Sequence, residues 1–287
     1  MPSSPVVVVV AFHAADLLER ALAPLGDLRL VVVDNSSDPA VAAAARQAGA
    51  EYVDPGHNLG FGAAVNLGVK HASGGAVRPD VLLLNPDAVI TAEALEVLGE
   101  ALASDPGLAA VAPRLVDESG AEQRVSWPWP SAGGMWREAV GLGRRTSADD
   151  WLVGAVLLLR GAALDEVGGF DEAFFLYAEE TDWQRRATLA GWRLREVPEA
   201  TARHVGAGTS TDWRHRECLF HAGTEHYLRK WSGRTGWTSY RIAAWAGAAV
   251  RGVLLRGAAG ERARHRARLY LRGPVREASR RGLLTVS

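Results

Sequence analysis

Cysteine is almost absent from this chain, which has only Cys218 among 287 residues. A single cysteine excludes an intrachain disulfide and a cysteine-based zinc site, and it fits a reducing compartment. No apolar run is long enough to cross a bilayer, since the most apolar late stretch, 242–255, is short and contains Arg251. The apolar run at 6–11 follows no basic residue and precedes no cleavage site, so we interpret it as a buried strand. These absences predict a cytoplasmic globular protein.

The sequence also lacks internal repeats and low-complexity tracts, and its 48% hydrophobic and 23% charged residues are ordinary for a globular protein. The length suits one large α/β domain with a tail, or two small domains. Charge is unevenly distributed. Residues 241–287 contain eleven arginines and two glutamates, a net charge of +9 in a chain whose total is −1, so the first 240 residues carry −10. We therefore predict an acidic body with a basic tail.

Short apolar runs alternate with helical patterns in the first part of the chain. Runs typical of buried strands lie at 6–11, 28–33, 51–53 and 81–84. Helical spacing, with Thr91 as an N-cap, lies at 16–25, 40–48, 62–71 and 91–104. This alternation predicts an α/β fold with a doubly wound, mostly parallel, Rossmann-like sheet. Ligands bind such sheets beyond the carboxyl ends of the strands, where Asp34 and Asp87 fall.

The periodic pattern stops after Pro113. Residues 117–150 contain three tryptophans, two adjacent glycines and little periodicity, which predicts a long flexible loop that is either functional or disordered. Beyond it we predict a strand at 151–160, a helix at 174–190 with acidic residues near its start, and a strand at 193–197.

Two carboxylates follow predicted strands, and each has two interpretations. Asp34 can accept a hydrogen bond from a base N–H or a ribose hydroxyl, but aspartate is also common in turns and helix caps. Asp87 ends an Asn-Pro-Asp sequence that makes a good turn. The same position would let Asp87 bind a hard divalent cation between two phosphates, which offsets the charge of a nucleoside-diphosphate leaving group.

A cluster at Glu179, Glu180 and Asp182 is the sharpest signal in the sequence. Three neighbouring carboxylates repel one another, although acidic residues do suit the first turn of a helix because of its dipole. The functional interpretation is a general base that removes a proton from an acceptor hydroxyl, supported by a second carboxylate. His204 follows the last predicted strand, where it is either structural or in contact with a metal or phosphate.

Seven segments, in this order, resemble the family 2 glycosyltransferases with the GT-A fold, in particular the bacterial rhamnosyltransferase-like members that build cell-surface polysaccharides. They cover roughly residues 6–210. Each motif is short, but seven in sequence are specific. The matching segments are VVVVVAFH (6–13), VVVDNSS (31–37), HNLGFGAAVNLGV (57–69), LLLNPDAVI (82–90), WLVGAVLLLR (151–160), GGFDEAFFLYAEETDWQRRATLAGW (168–192) and VPEATARHVG (197–206).

The resemblance implies a nucleotide-sugar site at the strand ends. The base would contact Asp34 in a pocket lined by Phe12 and His13, and small residues would lie beside the sugar. The residues expected to bind the donor are Phe12, His13, Asp34, Asn58, Gly60, Asn66, Asn85, Asp87, Gly154 and Ala155.

The resemblance also implies the chemistry. Glu180 would be the catalytic base, where the family usually has aspartate, with Glu179 beside it. Asp182 matches a further family carboxylate that is either structural or orients the acceptor, and we count it with the catalytic group. The reaction would be a single displacement with an oxocarbenium-like transition state, which inverts the anomeric configuration.

A divalent cation, Mg²⁺ or Mn²⁺, is expected from the same resemblance. Asp87 matches the last acidic position of the family's Asp-x-Asp metal motif, and Asn85 replaces the first. His204 matches a histidine that approaches the metal or the diphosphate. Asp87 and His204 are therefore the expected metal ligands.

The expected partners are a dTDP- or UDP-sugar, with rhamnose suggested by the subgroup, and a glycan or lipid-linked acceptor. We divide the chain into a GT-A domain at 1–235, with a donor half (1–113) and an acceptor half (114–235), and a basic amphipathic helical tail at 236–287. Residues 241–281 mix arginine with apolar residues, which is typical either of a helix on an anionic membrane, here the inner face of the plasma membrane, or of a solvated helix that covers the domain. No nucleic-acid partner is expected, because the body is acidic and no recognition motif is present.

Two other functions remain open from the sequence. A sugar-phosphate nucleotidyltransferase shares the alternating sheet, but it would show a glycine-rich N-terminal loop with a basic residue for the triphosphate, which residues 11–15 lack. The second alternative is a glycan-binding or nucleotide-sugar-binding protein that has the same fold but catalyses no reaction. Asp87 and Glu180 argue against that alternative, whereas Asn85 in place of the first aspartate argues for it.

Overall fold

The computed structural model describes residues 4–73, 78–143, 150–206 and 212–284. The strands, in chain order, are β1 (Val6–Ala11), β2 (Leu30–Asp34), β3 (Glu51–Val53), β4 (Val81–Leu84), β5 (Ala88–Ile90), β6 (Leu108–Val116), β7 (Glu122–Gln123), β8 (Ser126–Trp127), β9 (Trp151–Leu152), β10 (Val156–Leu159) and β11 (Arg193–His204). The helices are α1 (Ala15–Leu22), α2 (Pro39–Gln47), α3 (Phe61–Ala72), α4 (Ala92–Ser104), α5 (Ala132–Ala139), α6 (Gly161–Val167), α7 (Glu179–Leu189), α8 (Trp213–Leu254), α9 (Gly257–Arg272) and α10 (Pro274–Arg280).

The first part of the chain forms the parallel side of the main sheet, in the order β3-β2-β1-β4. Val8 at the centre of β1 pairs with Val31 on one side and Leu83 on the other. β1 and β2 are buried along their whole length, as their β-branched runs predict for strands packed between helices. Thr91 caps α4 by accepting from the main-chain N of Ala94 at 3.2 Å. The predicted α/β fold with alternating strands and helices is confirmed.

Antiparallel strands enter in the second part of the chain. β10 lies antiparallel between β4 and β6, followed by β11, which is parallel to β6, and by β5 at the edge. β8 and β9 form a separate ribbon. The single strand predicted at 151–160 is therefore wrong: its first residues pair with β8, whereas Val156–Leu159 enters the main sheet.

β11 runs past the predicted end at 197 and continues to His204. A register shift around Pro198 lets the strand pass a residue that has no N–H to donate. After the shift the strand pairs with β5, and His204 lies opposite Ala88. This extension brings His204 beside the turn that ends at Asp87.

The segment predicted as a long loop contains regular structure. β7 pairs with β6, β8 pairs with β9, and α5 packs on α8, where Trp136 Nε1 donates to Ser239 Oγ at 3.1 Å. The prediction of an aperiodic loop is wrong for 117–143, because contacts with distant elements hold these short strands and this helix. Residues 144–149 of that segment lie outside the described residues.

The predicted helical tail is present as the end of α8 together with α9 and α10. α8 bends at Gly233, where φ is 65° and ψ is −169°, so the boundary predicted at 235/236 falls inside a helix and close to this bend. A second apolar core that includes Phe174, Trp237 and Tyr270 joins α8 and α9 to the segment before α7. Among the described residues, no helix is both long enough and apolar enough to cross a bilayer.

Candidate active site

Asp34 ends β2 and is fully buried. Its Oδ1 accepts from the main-chain N and Oγ of Ser36 at 2.9 and 2.5 Å, and its Oδ2 accepts from Asp38 N at 2.8 Å and Tyr52 OH at 3.0 Å. A carboxylate offers about four acceptor positions, so these donors fill it. Burial and the Asp34 carboxylate raise the pKa of Tyr52 to about 12, which keeps the phenol protonated as a donor. Asp34 therefore builds the turn, and its contact with a nucleotide base stays a prediction.

Phe12 and His13 lie just beyond β1, next to this turn. The main-chain N of His13 donates to Ser36 Oγ at 3.0 Å, and its Nδ1 lies 3.1 Å from Asp38 Oδ2. The Phe12 ring is 43% exposed and meets the His13 ring edge-on, with centroids 4.7 Å apart. An exposed aromatic face at the carboxyl ends of β1 and β2 is available for a base to stack on.

Asn58 and Gly60 lie just before α3 and Asn66 lies within it, and Gly60 and Asn66 contact the segment that precedes α7. Asn58 Oδ1 accepts from Gly60 N at 2.9 Å. Both amide atoms of Asn66 bond the main chain of Phe170: Nδ2 donates to its carbonyl at 2.9 Å, and Oδ1 accepts from its N–H at 2.8 Å. In this structure Asn58 and Asn66 shape the loops, and their contact with the donor stays a prediction.

The turn after β4 and the end of β11 meet at Asp87 and His204. Asp87 is buried, and its Oδ1 lies 3.5 Å from His204 Nε2. Gln123 Nε2 donates to the His204 carbonyl at 2.8 Å, so Gln123 Oε1, 3.0 Å from His204 Nδ1, must be the acceptor of that pair. This places a proton on Nδ1 and leaves Nε2 as the ring nitrogen that faces the Asp87 carboxylate.

Helix α7 begins at Glu179, and the helix start predicted at 174 is wrong. Tyr177 and Ala178 have φ of 69° and 73°, a left-handed conformation that residues with a Cβ rarely adopt and that no right-handed helix can contain. Gly223 of α8 packs so closely on the Tyr177 carbonyl that no Cβ would fit there. Tertiary packing thus holds a strained turn that fixes where α7 starts.

Glu179 and Glu180 form the first residues of α7, Glu179 buried and Glu180 half-buried. Among the residues that the structure describes, Oε2 of each carboxylate has no hydrogen-bond partner. Burial raises the pKa of both, and the charge of Glu180 raises that of Glu179 further, so Glu180 is the member that ionises first. A carboxylate with an unfilled acceptor position and a raised pKa is suited to take a proton.

Asp182, in the same helical turn, is fully buried and its carboxylate is paired. Its Oδ2 accepts from Arg186 Nε at 3.0 Å, and its Oδ1 accepts from Trp231 Nε1 and Lys230 Nζ, each at 2.8 Å. These contacts join α7 to α8. The resemblance implies that Asp182 is either structural or orients the acceptor, and these contacts support the structural role. They do not place Asp182 among the catalytic residues.

Gly154 and Ala155 connect the two acidic parts of the site. The Ala155 carbonyl accepts from Asn85 N at 2.9 Å, which ties this turn to the one that ends at Asp87. A Cβ at position 154 would lie 3.2 Å from Glu180 Cγ, so the missing side chain gives Glu180 its space. The fold therefore brings Glu180 and the turn containing Asp87 to the same edge of the sheet.

Asp87 and His204 are suited to bind a cation together with a substrate. Across the described ranges, no three His, Cys, Asp or Glu side chains converge on one point. Mg²⁺ and Mn²⁺ are commonly held by one or two carboxylates, with water and substrate phosphates as the remaining ligands. The pair therefore fits a cation that binds with a diphosphate.

The sequence does not mark Gln123, Tyr177 or Gly223 as residues of the site. Gln123 lies in the stretch without periodicity, 81 residues from its histidine partner. Tyr177 precedes an alanine, and neither residue type indicates positive φ. Gly223 matters because of a contact with a distant turn. No local signal marks any of the three residues.

Comparison with known proteins identifies the family. Residues 6–152 match the sequence model described as glycosyl transferase family 2, and residues 81–258 match glycosyl transferase family group 2. An N-acetylglucosaminyl-diphospho-decaprenol L-rhamnosyltransferase from Mycobacterium tuberculosis is 30% identical over 263 residues, covering 80% of this chain and 85% of that protein. A low-salt glycan biosynthesis hexosyltransferase from Haloferax volcanii is 24% identical over 206 residues, covering 69% of this chain and 66% of that protein.

Solved structures agree on the fold. A mannosyltransferase from Pyrobaculum calidifontis, in complex with GDP-Man and Mn²⁺, superposes with a TM-score of 0.59 at 18% identity and covers 99% of this chain and 85% of its own. Glucosyl-3-phosphoglycerate synthase from Mycobacterium tuberculosis, in complex with Mn²⁺, UDP and glucosyl-3-phosphoglycerate, gives a TM-score of 0.54 at 17% identity over 79% of each chain. The chain thus belongs to glycosyl transferase family 2, and it is a rhamnosyltransferase-like glycosyltransferase with the GT-A fold.

Proposed function

We propose that this protein is an inverting glycosyltransferase that moves a sugar, rhamnose before others, from a nucleotide-diphosphate donor to a hydroxyl of a glycan or lipid-linked acceptor in cell-surface polysaccharide synthesis. The observation that carries the proposal is the Glu180 carboxylate. Its Oε2 has no partner among the described residues, burial raises its pKa, and it lies against Gly154 at the sheet edge. These are the properties of a general base placed where acceptor and donor would meet.

In the proposed reaction the acceptor oxygen attacks the anomeric carbon while Glu180 takes its proton. The bond to the nucleotide diphosphate breaks on the opposite face of the sugar, so the configuration inverts and no covalent enzyme intermediate is needed. The proton ends on Glu180 and the negative charge ends on the diphosphate. The charge on ionised Glu180 raises the pKa of Glu179, so it favours the protonated form of Glu179.

A divalent cation, Mg²⁺ or Mn²⁺, belongs to this proposal. Asp87 and His204 would hold it, with Gln123 fixing the imidazole so that Nε2 faces the carboxylate. When bound, the cation supplies positive charge to the leaving diphosphate. Structures with a similar fold contain Mn²⁺ with a nucleotide or nucleotide-sugar, which supports this assignment.

The donor nucleotide is assigned to the neighbouring part of the same edge, at the carboxyl ends of β1 and β2, where β1 pairs with β4. Phe12 offers its exposed ring to the base, and the turn built by Asp34 forms the floor of that pocket. A dTDP- or UDP-sugar is the proposed donor. The rhamnosyltransferase relative, whose name specifies a sugar on a diphospho-decaprenol, supports rhamnose as the sugar and a lipid-linked diphosphate as the acceptor.

An anionic membrane surface is the proposed meeting place with such an acceptor. Several large apolar side chains are exposed at what we name the apolar end of α8, among them Val253 at 83% and Leu254 at 73%. This surface lies within the arginine-rich part of the chain, and exposed apolar and basic residues together are typical of helices that bind anionic bilayers. The other residues of the apolar end are Ile242, Trp245 and Val250.

Flotation with phosphatidylglycerol vesicles tests the surface. Val253→Asp with Leu254→Asp should weaken vesicle binding by on the order of 10-fold or more, because two apolar side chains leave the interface and two negative charges enter it. Leu189→Asp is the matched control, since Leu189 is 62% exposed on α7 and away from the tail. Equal binding by the double variant and the control would contradict a membrane role for the apolar end of α8.

Transfer assays test the function itself. The protein would be incubated with dTDP-rhamnose, UDP-glucose, UDP-N-acetylglucosamine or GDP-mannose and an N-acetylglucosaminyl prenyl diphosphate, with Mg²⁺, Mn²⁺ or a chelator. Mass spectrometry should show sugar transfer that is greater with the cation, and NMR of the product should show inversion. Retention would overturn the mechanism. Conversion of a nucleoside triphosphate and a sugar phosphate would assign a nucleotidyltransferase, and binding without turnover would assign a binding protein.

A further inference from the structure

A cavity of about 270 Å³ lies between the strained turn before α7 and the helices α8 and α9. Its lining contains neither Asp87 nor His204, which the donor diphosphate would use, and none of its lining residues belongs to the predicted site. The side chains that matter for its chemistry are Tyr177, Trp213, Arg216, Phe220, Arg262 and Arg266.

The cavity carries a net positive charge. Three of its lining residues are arginines, and Glu217 is its one carboxylate. Although burial acts in the opposite direction, bonds from His265 and Arg266 hold the pKa of Glu217 at about 2, so Glu217 is ionised and already paired. Within the described part of the chain, Arg216 and Arg262 have no carboxylate partner. An anion in the cavity would meet two uncompensated guanidinium groups.

The arginines are arranged for an anion with several oxygens. Nε of Arg266 is buried without a hydrogen-bond partner among the described residues, while its Nη2 donates to Glu217 at 2.7 Å. The Arg262 guanidinium lies 5.6 Å from the Trp213 ring centroid, which limits where its N–H groups can point. Guanidinium groups present planar sets of donors that match phosphate oxygens. Trp213 and Phe220 add apolar surface beside the charged part.

Tyr177 links this cavity to the catalytic base. It lines the cavity, its ring lies 5.8 Å from that of Phe220, and it stands two residues before Glu179 in the turn that fixes the start of α7. Burial raises the pKa of its hydroxyl, the charge of Arg216 lowers that pKa, and the charges of Glu179, Glu180 and Asp87 raise it. Tyr177 therefore lines the cationic cavity and also feels the charges of the carboxylates.

We propose that this cavity binds the phosphate or diphosphate group of the acceptor, through Arg216, Arg262 and Arg266, and so presents the acceptor hydroxyl to Glu180. The inference rests on the proposed function and deepens it, because it assigns the acceptor a negative charge next to its sugar. The proposed function assigns the donor diphosphate to Asp87 and His204, and neither residue lines this cavity, so we assign the anion in the cavity to the second substrate.

A pair of acceptors tests the assignment. One is N-acetylglucosamine linked through a diphosphate to a geranyl chain, and the other is the neutral geranyl glycoside of the same sugar. For Arg216→Gln and Arg262→Gln, the KM of the charged acceptor should rise on the order of 10-fold for each substitution, as expected for a lost charge-assisted hydrogen bond. The KM of the neutral acceptor should not change, and Arg216→Lys and Arg262→Lys should recover part of the loss.

Arg268→Gln is the matched control, since Arg268 is exposed on the same helix as Arg262 and does not line the cavity. Its KM for the charged acceptor should equal that of the unmodified chain. Equal effects on the charged and neutral acceptors, or equal effects of Arg268→Gln and Arg262→Gln, would overturn the inference.

Direct binding keeps the inference testable if no transfer is found. Calorimetry in the presence of a chelator should show that the protein binds geranyl diphosphate. Arg262→Gln should weaken this binding on the order of 10-fold, like the expected change in KM. A loss of phosphatidylglycerol vesicle binding without a loss of geranyl diphosphate binding would assign the arginines to a lipid surface and overturn the inference. Transfer to the neutral acceptor with no preference for the charged one would overturn it and leave the proposed function standing. Absence of transfer to either acceptor from any donor would overturn the proposed function instead.

Discussion

The turn after β2 and the first turn of α7 use the same chemical group in opposite ways. Four donors fill the buried carboxylate of Asp34, whereas Glu179 and Glu180 each keep an oxygen without a partner among the described residues. Asp182 lies in the same turn of α7 but follows the Asp34 pattern. A filled carboxylate stabilises a fold, and an unfilled buried one lowers stability. The comparison separates acidic residues that build this molecule from those available for its chemistry.

The largest expected effect comes from Glu180→Gln. Glutamine has nearly the same shape but cannot take the proton, so transfer should fall by about 10²–10⁴-fold while donor binding is retained. Single-turnover transfer and donor binding by calorimetry would be measured together. Glu199→Gln, at an exposed position of β11, is the control. Transfer close to that of the unmodified chain would show that Glu180 is not the base.

Asp34→Asn should have the next largest effect, on stability. An amide has one acceptor oxygen, so at least one main-chain or side-chain donor loses its partner, at a cost of about 2 kcal/mol or more. Urea unfolding would measure this loss, with the exposed Asp27→Asn as control. An unchanged free energy of unfolding together with a loss of donor binding would place Asp34 with the functional carboxylates. That result would contradict the structural role that we assign to Asp34.

Gln123→Ala should weaken cation affinity by about 10-fold, as expected when a residue that orients a metal-binding histidine is removed. The reason is that His204 then loses the acceptor that keeps its proton on Nδ1. Transfer measured across a Mg²⁺ or Mn²⁺ titration would show the shift, and Gln47→Ala on the exposed face of α2 would not show it. An unshifted titration would remove Gln123 from the site.

The smallest expected effect is a pH-dependent gain of stability in Glu179→Gln. Burial and the Glu180 charge raise the folded-state pKa of Glu179 above its ordinary value of 4.5. Below that value both states are protonated and the two proteins should unfold alike. As the pH rises, the unfolded chain releases this proton before the folded one, so the unmodified protein loses stability relative to the variant.

Thermal unfolding of both proteins at about pH 4 and about pH 8 would detect that difference. A more stable unmodified protein at the higher pH would contradict the raised pKa. Transfer by the unmodified chain should increase over the same range, because burial raises the pKa of Glu180 and the base must be ionised to act.

Sequence patterns predicted the parts of the fold that depend on local order. The valine run of β1 and the Thr91 cap are encoded within a few residues, and both are present. Two predictions were wrong. The strand predicted at 151–160 is divided because its two parts pair with different distant strands, and the helix predicted from 174 starts later because a left-handed turn precedes Glu179. Periodicity carries no information about such partners.

The candidate site was predictable to the same extent. Asp87 and His204 are separated by more than a hundred residues. Only the family resemblance predicted that they lie together, and the extended strand β11 places them side by side. Asp182 could not be separated from Glu180 by sequence, since the difference lies in Lys230 and Trp231 of α8. The arginine cavity was not predicted either. Nothing in the sequence separates one arginine of the tail from another, and only the packing of α8 and α9 shows that Arg262 lines the cavity and Arg268 does not.

The bend at Gly233 divides α8 into two arms that meet at an angle. One arm contains Gly223, which supports the turn before Glu179, and the other contains the apolar end of α8. The angle between the arms depends on the torsions of one residue, whose φ of 65° is unfavourable for other residue types. A change of the angle at Gly233 would alter the distance from Glu180 to the apolar end of α8 without changing any side chain at either end.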